Sequence, residues 1–174
     1  MWHLWNRLFS VTLLAILLGA SCTTSKTPIV ESTIYLVRHA EKADDGTRDP
    51  PLTEEGVDRA NYLSGLLSQQ NIQLIYSTDY KRTRGTATPL ASATNQEVLI
   101  YNPRELSAFA NELLDKSGQN ILVAGHSNST PTLANLILGE ERFEKFDESD
   151  YNNLIIIKVR GDHKTAEMEE FDPN

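Results

Sequence analysis

The sequence predicts an α/β protein, a three-layer α/β/α sandwich around a mostly parallel central sheet. Segments with strand and helix patterns alternate almost throughout the chain, which is typical of such layered folds. Two strand candidates, residues 34–37 and 121–124, are uninterrupted apolar runs, as expected for strands buried on both faces. Residues 106–114 place apolar side chains at helical spacing, which indicates an amphipathic helix.

Length and charge limit the classes of protein that this chain can be. Its 174 residues fit one domain better than two, and 40% hydrophobic with 23% charged residues is ordinary for a globular protein. The formal net charge of −8 argues against nonspecific binding to nucleic acid or to anionic lipid surfaces. An anionic small substrate stays compatible with this charge, because a few clustered cations can dominate a pocket.

The N-terminal segment has the features of an export signal. Residues 1–21 are predicted to be a signal peptide, because their apolar stretch of about 11 residues is too short to span a bilayer. Small residues before Cys22, the only cysteine, resemble a bacterial lipoprotein cleavage site, so we expect Cys22 to carry a lipid. Residues 22–32 would be a tether and residues 33–174 the domain, in a periplasmic or cell-surface lipoprotein. An uncleaved anchor and an ordinary signal peptide are the alternatives.

The first half of the domain begins with a strand and a helix. A strand is predicted from Thr33 to Arg38, followed by a charged loop over residues 41–51 that would form the rim of a site. Thr53 can cap the next helix, which has acidic residues in its first turn and an apolar face to about Ser68.

The middle of the chain repeats the alternation. Residues 74–76 predict a second strand and residues 80–93 a helix, which Pro89 is expected to kink or shorten. Residues 98–101 predict a third strand, ahead of the amphipathic helix over residues 106–114.

The last third contains one further helix between strands. Thr130 is expected to be its N-cap and Pro131 its first residue, and Gly139 should end it. The remaining predicted strands are residues 120–125, residues 154–157 and, at an edge, residues 166–171.

Polar side chains directly follow the two buried apolar runs. Arg38 and His39 come after the first run, and His126 comes after the run that ends at Gly125. If the two strands are parallel neighbours, these side chains meet at one edge of the sheet, where ligands of open α/β sheets bind. A guanidinium beside imidazoles at such an edge is suited to a phosphate group.

Four sequence blocks, in this order, resemble the histidine phosphatase superfamily, the phosphoglycerate mutase-like group. The chain is similar to a small branch-1-type member with a lipoprotein signal. Together the blocks span most of residues 33–138, and their fixed order makes them far more specific than any one alone. The blocks are Arg38-His39-Ala40-Glu41, Leu52-Thr53-Glu54-Glu55-Gly56, residues 76–87 (YSTDYKRTRGTA) and residues 123–128 (VAGHSN).

The resemblance implies a role for each matching residue. His39 corresponds to the nucleophile that becomes phosphohistidine, without a metal or another cofactor. A neutral imidazole is a competent nucleophile, and guanidinium groups can bind phosphate oxygens in bidentate fashion. His126 would donate to the phosphate as an imidazolium. The other members of the phosphate pocket would be Arg38 and Arg82, with Ser77 as a further donor.

Two assignments stay open in the sequence. Many relatives carry a general acid in an insertion that this chain lacks, and Glu105 is nearest to that position, although it fits an exposed helix-start carboxylate equally well. Glu41, Asp44 and Asp45 on the rim loop are other candidates. Arg84 replaces Arg82 in the pocket if the phase of that helix is misread.

The sequence therefore predicts a phosphatase that acts on phosphate monoesters of a small molecule or a phosphoprotein. A serine esterase is an alternative, since residues 125–129 nearly match the G-x-S-x-G motif around Ser127, with Asp150 and His163 following in order. A lipoprotein that binds a phosphorylated ligand without turnover is another. A metal site on His39 and His126 is disfavoured by the neighbouring arginines, and a glycolytic mutase by the short chain and its export signal.

Overall fold

The computed structural model describes residues 30–173 and shows an alternating α/β chain. Within these residues there are six strands and four helices. In chain order they are β1 (Glu31–Arg38), α1 (Glu54–Leu67), β2 (Ile72–Ser77), α2 (Lys81–Thr94), β3 (Val98–Ile100), α3 (Leu106–Asp115), β4 (Asn120–Gly125), α4 (Ser129–Leu138), β5 (Asn153–Arg160) and β6 (His163–Glu170).

One six-stranded sheet with the order β3-β2-β4-β1-β5-β6 forms the middle layer. The first four strands of that order pair in parallel, whereas β5 pairs antiparallel with both β1 and β6. In the β1–β4 pair, Arg38 lies opposite Gly125. The carboxyl ends of two strands that are distant in sequence are therefore adjacent, and the residues after each strand emerge side by side.

Two apolar cores, one on each face of the sheet, confirm the predicted three layers. Leu63 of α1 and Leu90 of α2 pack with the sheet residues Val37 and Leu122 on one face. On the other face, residues of α3 and α4 pack with a second set of sheet side chains, among them Leu36. Successive residues of β1 thus enter opposite cores, which explains why this strand is apolar without alternation.

The structure corrects three boundaries predicted from the sequence. β1 begins at Glu31, because Glu31 and Ser32 already pair with β5, so the last two residues of the predicted tether belong to the sheet. α2 continues through Pro89 to Thr94 and is not shortened. α4 is capped at Asn128, so Thr130 lies inside the helix, where its hydroxyl donates to the Val37 carbonyl (3.2 Å).

The predicted signal peptide and Cys22 lie outside the described residues. In residues 30–173, none of the helices has the length and the apolar character needed to cross a bilayer.

Candidate active site

His39 leaves the carboxyl end of β1 in a fixed orientation. Its backbone N–H donates to the Gly125 carbonyl (2.9 Å), which continues the β1–β4 pairing by one residue. Its side-chain Nδ1 lies 2.8 Å from the Ala40 carbonyl oxygen. A carbonyl can only accept, so the proton is on Nδ1, and the neutral ring keeps its lone pair on Nε2. His39 lines a cleft of about 390 Å³ at this edge of the sheet.

His126 follows β4 and faces His39 across the cleft. The two ring centroids are 5.5 Å apart in an edge-on arrangement. The Nε2 atom of His126 lies 3.0 Å from the Thr78 hydroxyl at the end of β2. The sheet thus brings together two imidazoles separated by 87 positions in the sequence, because the strands that carry them are parallel neighbours.

Arg82, in the first turn of α2, brings an unsatisfied guanidinium to the cleft. Its Nε and Nη1 atoms are buried without a hydrogen-bond partner. The nearest carboxylate oxygen, Oδ1 of Asp49, is 3.7 Å from Nη1, too far for a hydrogen bond. The guanidinium also lies over the Tyr80 ring, 4.5 Å from its centroid. Buried N–H groups without a partner are costly, so this geometry favours an anionic ligand.

Arg38 is buried beneath the cleft and is held by the segment before β5. Its side chain is only 1% exposed. Nη1 donates to the carbonyls of Asp147 (2.8 Å) and Asp150 (2.7 Å), and Nη2 donates to Oε2 of Glu148 (3.0 Å). The Tyr151 ring lies against the guanidinium at 4.1 Å. Only Nε of Arg38 is left without a hydrogen-bond partner, and it is also buried.

Both histidines are neutral in the free protein at neutral pH. Burial lowers the pKa of His39 to about 3, with the positive charges of Arg38 and Arg82 acting in the same direction and the bond to Ala40 opposing them. Burial also lowers the pKa of His126 to about 4, assisted by Arg82 and Arg38 and opposed by Glu148. The prediction that His126 donates to a phosphate as an imidazolium concerns the bound state, whereas the ring is neutral in the free protein. A bound dianion would favour its protonation.

Comparisons with known proteins find similarity in the part of the chain that contains Arg38, His39 and Arg82. The family model described as histidine phosphatase superfamily (branch 1) matches residues 34–105. Residues 34–105 are therefore similar to the histidine phosphatase superfamily. Phosphoserine phosphatase 1 of Hydrogenobacter thermophilus is 40% identical over 72 residues, which are 38% of this chain and 34% of that protein. The chain thus matches about a third of that relative's length.

Solved structures share the fold over most of the chain. YhfR of Bacillus stearothermophilus superposes with a TM-score of 0.65 at 17% identity, covering 82% of this chain and 98% of its own. The protein histidine phosphatase SixA, solved in complex with tungstate, gives a TM-score of 0.63 at 17% identity, covering 79% of this chain and 96% of its own. These likenesses confirm the predicted α/β architecture.

Three other predicted residues lie away from the cleft that His39 and His126 line. The Ser77 hydroxyl is fully buried and donates to the Thr78 carbonyl (2.8 Å), so it is not a donor in the cleft. Glu105 lines a separate pocket with Tyr76 and Phe109. Arg84, which is 43% exposed, pairs with Asp79. The helix phase therefore selects Arg82 for the site.

The structure does not bring together the three residues of the alternative serine esterase site. Ser127 does line the cleft, but its hydroxyl donates to Oε1 of Glu148 (2.7 Å). His163 instead pairs with Arg160 where β5 turns into β6. Asp150, the proposed third member, uses its carbonyl to hold Arg38. Serine, histidine and aspartate therefore do not form a triad.

Several residues of the site were not predicted from the sequence. Glu148 and Tyr151 lie in the acidic connection before β5, where no periodicity or motif indicates a role. Lys42, directly after the first motif, and Tyr80, within the third motif, also line the cleft. Thr78 follows Ser77 within the third motif, so its position at the strand end was the one available signal.

Proposed function

We propose that this protein is a phosphatase that hydrolyses phosphate monoesters through a phosphohistidine intermediate on His39. The observation that carries the proposal is a set of three buried guanidinium nitrogens without partners, Nε of Arg38 and Nε and Nη1 of Arg82. They belong to residues beside the neutral His39, whose Nε2 has a free lone pair. Arg82 and His39 line the same cleft, and Arg38 is the residue directly before His39.

The chemistry is an in-line exchange in two steps. His39 Nε2 attacks phosphorus, the bond from phosphorus to the leaving oxygen breaks, and that oxygen takes a proton. Water then attacks the phosphohistidine, the P–N bond breaks, and phosphate is released. The arginines offset the charge on the phosphoryl oxygens, which is the main task of a protein in phosphoryl transfer.

The proton for the leaving group restricts the substrates that we propose. Glu105 lies outside the cleft, and the carboxylate that lines it, Glu148, has a lowered pKa because Ser127 and Lys145 hydrogen-bond to it and Arg38 attracts it. Glu148 is therefore anionic at neutral pH and a poor proton donor. We accordingly propose phosphorylated small molecules or phosphoproteins whose leaving oxygen needs little protonation, as in aryl phosphates.

Trapping the intermediate tests this function. Rapid quenching during turnover of an aryl phosphate should yield phosphate that is labile in acid, stable in alkali and located on His39 by peptide mapping. Activity should persist in the presence of a strong chelator. Labelling of Ser127 by a fluorophosphonate would instead favour the esterase. Binding of the phosphate ester without turnover would favour the non-catalytic phosphate-binding lipoprotein.

We further propose that the protein is exported and tethered to a bacterial membrane through a lipid on Cys22. The order of features in residues 1–22 supports this proposal. Metabolic labelling with a radioactive fatty acid should mark the full chain, and Cys22→Ser should abolish the label and release the protein from the membrane fraction. An unlabelled wild-type chain would contradict the anchor.

A further inference from the structure

A chain of hydroxyl groups, from residues that do not line the cleft, contacts the His126 ring. The Thr78 hydroxyl oxygen is 3.0 Å from Nε2 of His126 and 2.9 Å from the hydroxyl oxygen of Thr83 in α2. The Thr83 hydroxyl in turn lies 2.9 Å from the Thr78 carbonyl and 3.0 Å from the Tyr80 carbonyl. Both threonines are fully buried, so water does not compete for these bonds.

The number of available protons determines which atom donates in each hydrogen bond of this chain of hydroxyl groups. Thr83 has one hydroxyl proton and two carbonyls within reach, and threonines in helices commonly donate to the carbonyl three or four residues earlier. When Thr83 donates to a carbonyl, its oxygen accepts the proton of Thr78. The Thr78 oxygen can then only accept from His126, so the ring proton of His126 is on Nε2.

We propose that Thr83 and Thr78 are positioning residues, which orient His126 and hold its proton on Nε2 in the free protein, so that Nδ1 presents a lone pair to the cleft. In the described part of the chain, no hydrogen bond to Nδ1 of His126 is found, and the residue lines the cleft. The two threonine hydroxyls thus determine which ring nitrogen of His126 faces the ligand.

The position of the His126 proton affects anion binding, and this step rests on the proposed phosphatase function. A lone pair repels a dianion, so the bound ligand requires a proton on Nδ1, and binding takes that proton up. Burial and the cations Arg82, Arg38 and Lys42 disfavour this proton in the free protein, and Glu148 favours it. The neighbouring rings of His39, at 5.5 Å, and Tyr80, at 5.1 Å, complete the groups that face His126.

Long-range ¹H–¹⁵N NMR of the histidine rings tests the tautomer directly. Wild type and Thr83→Ser should both show His126 with its proton on Nε2. In Thr83→Val the Thr78 hydroxyl loses its acceptor and is free to donate to Nε2, so the proton should move to Nδ1. Thr94→Val is the matched control, since the Thr94 hydroxyl makes the same kind of bond within α2, to the Leu90 carbonyl (2.8 Å).

A merely structural role for Thr83 predicts a different result. Thr83→Val would then lower the melting temperature, as we expect for Thr94→Val, while His126 keeps one tautomer. A proton on Nδ1 in the wild type, or the same tautomer in wild type and Thr83→Val, overturns the proposal. If Thr83→Val does not fold, Thr78→Val, which removes the direct partner, provides the same comparison.

Isothermal titration calorimetry with tungstate measures how many protons the protein takes up when the anion binds. At about pH 8 tungstate is a dianion without a proton of its own, and binding in buffers of different ionisation enthalpy reports the protons taken up. We expect equal proton uptake by wild type and Thr83→Ser, and at most about half as much by Thr83→Val. Equal uptake by all variants overturns the proposal, whereas no tungstate binding by wild type counts against the phosphatase function and leaves the NMR result to decide the role of the two threonine hydroxyls.

Discussion

His39 combines a partly enclosed position with a free nucleophilic nitrogen. The Ala40 carbonyl holds one ring nitrogen in the protonated form, and the residues around it keep the ring neutral. Neither property depends on a metal or on a second substrate. The side chain lies at the edge of the sheet rather than among the apolar residues of either core, so its chemistry and the stability of the fold can be separated by mutation.

Replacing the nucleophile tests that separation. His39→Ala is expected to lower kcat for an aryl phosphate by about 10³-fold or more, because the covalent step is lost. Thermal unfolding should change by only a few degrees. Turnover near the wild-type rate in this variant would contradict the assignment of His39.

The lowered histidine pKa values predict how stability depends on pH. Both values lie below the ordinary value of about 6.5, so as the pH falls below that value the unfolded chain binds protons that the folded protein does not. The free energy of unfolding should therefore fall between about pH 7 and pH 4. Urea unfolding of His39→Asn with His126→Asn should show a shallower fall, and an unchanged slope would contradict neutral histidines in the folded protein.

At the scale of elements, the start of α1 fixes the loop that follows His39. Thr53 caps the helix by accepting from the Gly56 N–H (3.0 Å), and its own N–H donates to the Glu41 carbonyl (2.9 Å). Arg59 also reaches Glu41 (2.8 Å) from the second turn of the helix. The approach is so close that a Cβ atom added to Gly56 would lie 2.3 Å from the Glu41 carbonyl oxygen.

Two glycines of this helix provide a matched pair. Gly56→Ala is expected to destabilise the fold by about 1–3 kcal/mol, because backbone cannot yield as a flexible side chain does. It should also lower kcat by displacing the segment after His39. Gly65→Ala has open space around it and should stabilise by about 0.5–1 kcal/mol through helix propensity. Denaturant unfolding of both variants tests this, and equal effects would refute the close packing.

At the scale of the whole molecule, Arg38 connects the first strand to the segment that precedes β5. It ends β1, and its partners lie 109 to 112 positions later, in the segment that leads into β5. This segment contributes two backbone carbonyls, a carboxylate and an aromatic ring to one guanidinium. The pocket is therefore complete only after β5 has paired with β1, so the site depends on the closure of the entire sheet.

Exchanging the guanidinium for an ammonium tests this connection. Arg38→Lys keeps the charge but cannot reach three acceptors in a planar array, so we expect a lower melting temperature, faster amide hydrogen exchange in residues 147–151 and weaker tungstate binding by about tenfold or more. Arg84→Lys, at an exposed ion pair, should change none of these measurements. Unaltered exchange in Arg38→Lys would show that the segment is held by other contacts.

The sequence alone was sufficient for the order of elements and for the two histidines of the cleft. Apolar runs and helical spacing are local patterns, and they placed the strand ends at Arg38 and Gly125 with the histidines directly after them. The motifs then identified His39, Arg82 and His126, which the structure brings to one cleft. Local patterns succeed here because strand ends are set by the residues within each segment.

Only the tertiary structure decided which groups hold and surround those residues. Three features depend on contacts between separate segments of the chain. Residues 147–151 hold Arg38, the threonine hydroxyls contact His126, and Glu105 lies in a pocket separate from the cleft. The pKa values of the histidines likewise depend on burial and on neighbouring charges. Such contacts are fixed by the packing of whole elements against each other, and no periodicity within one segment records them.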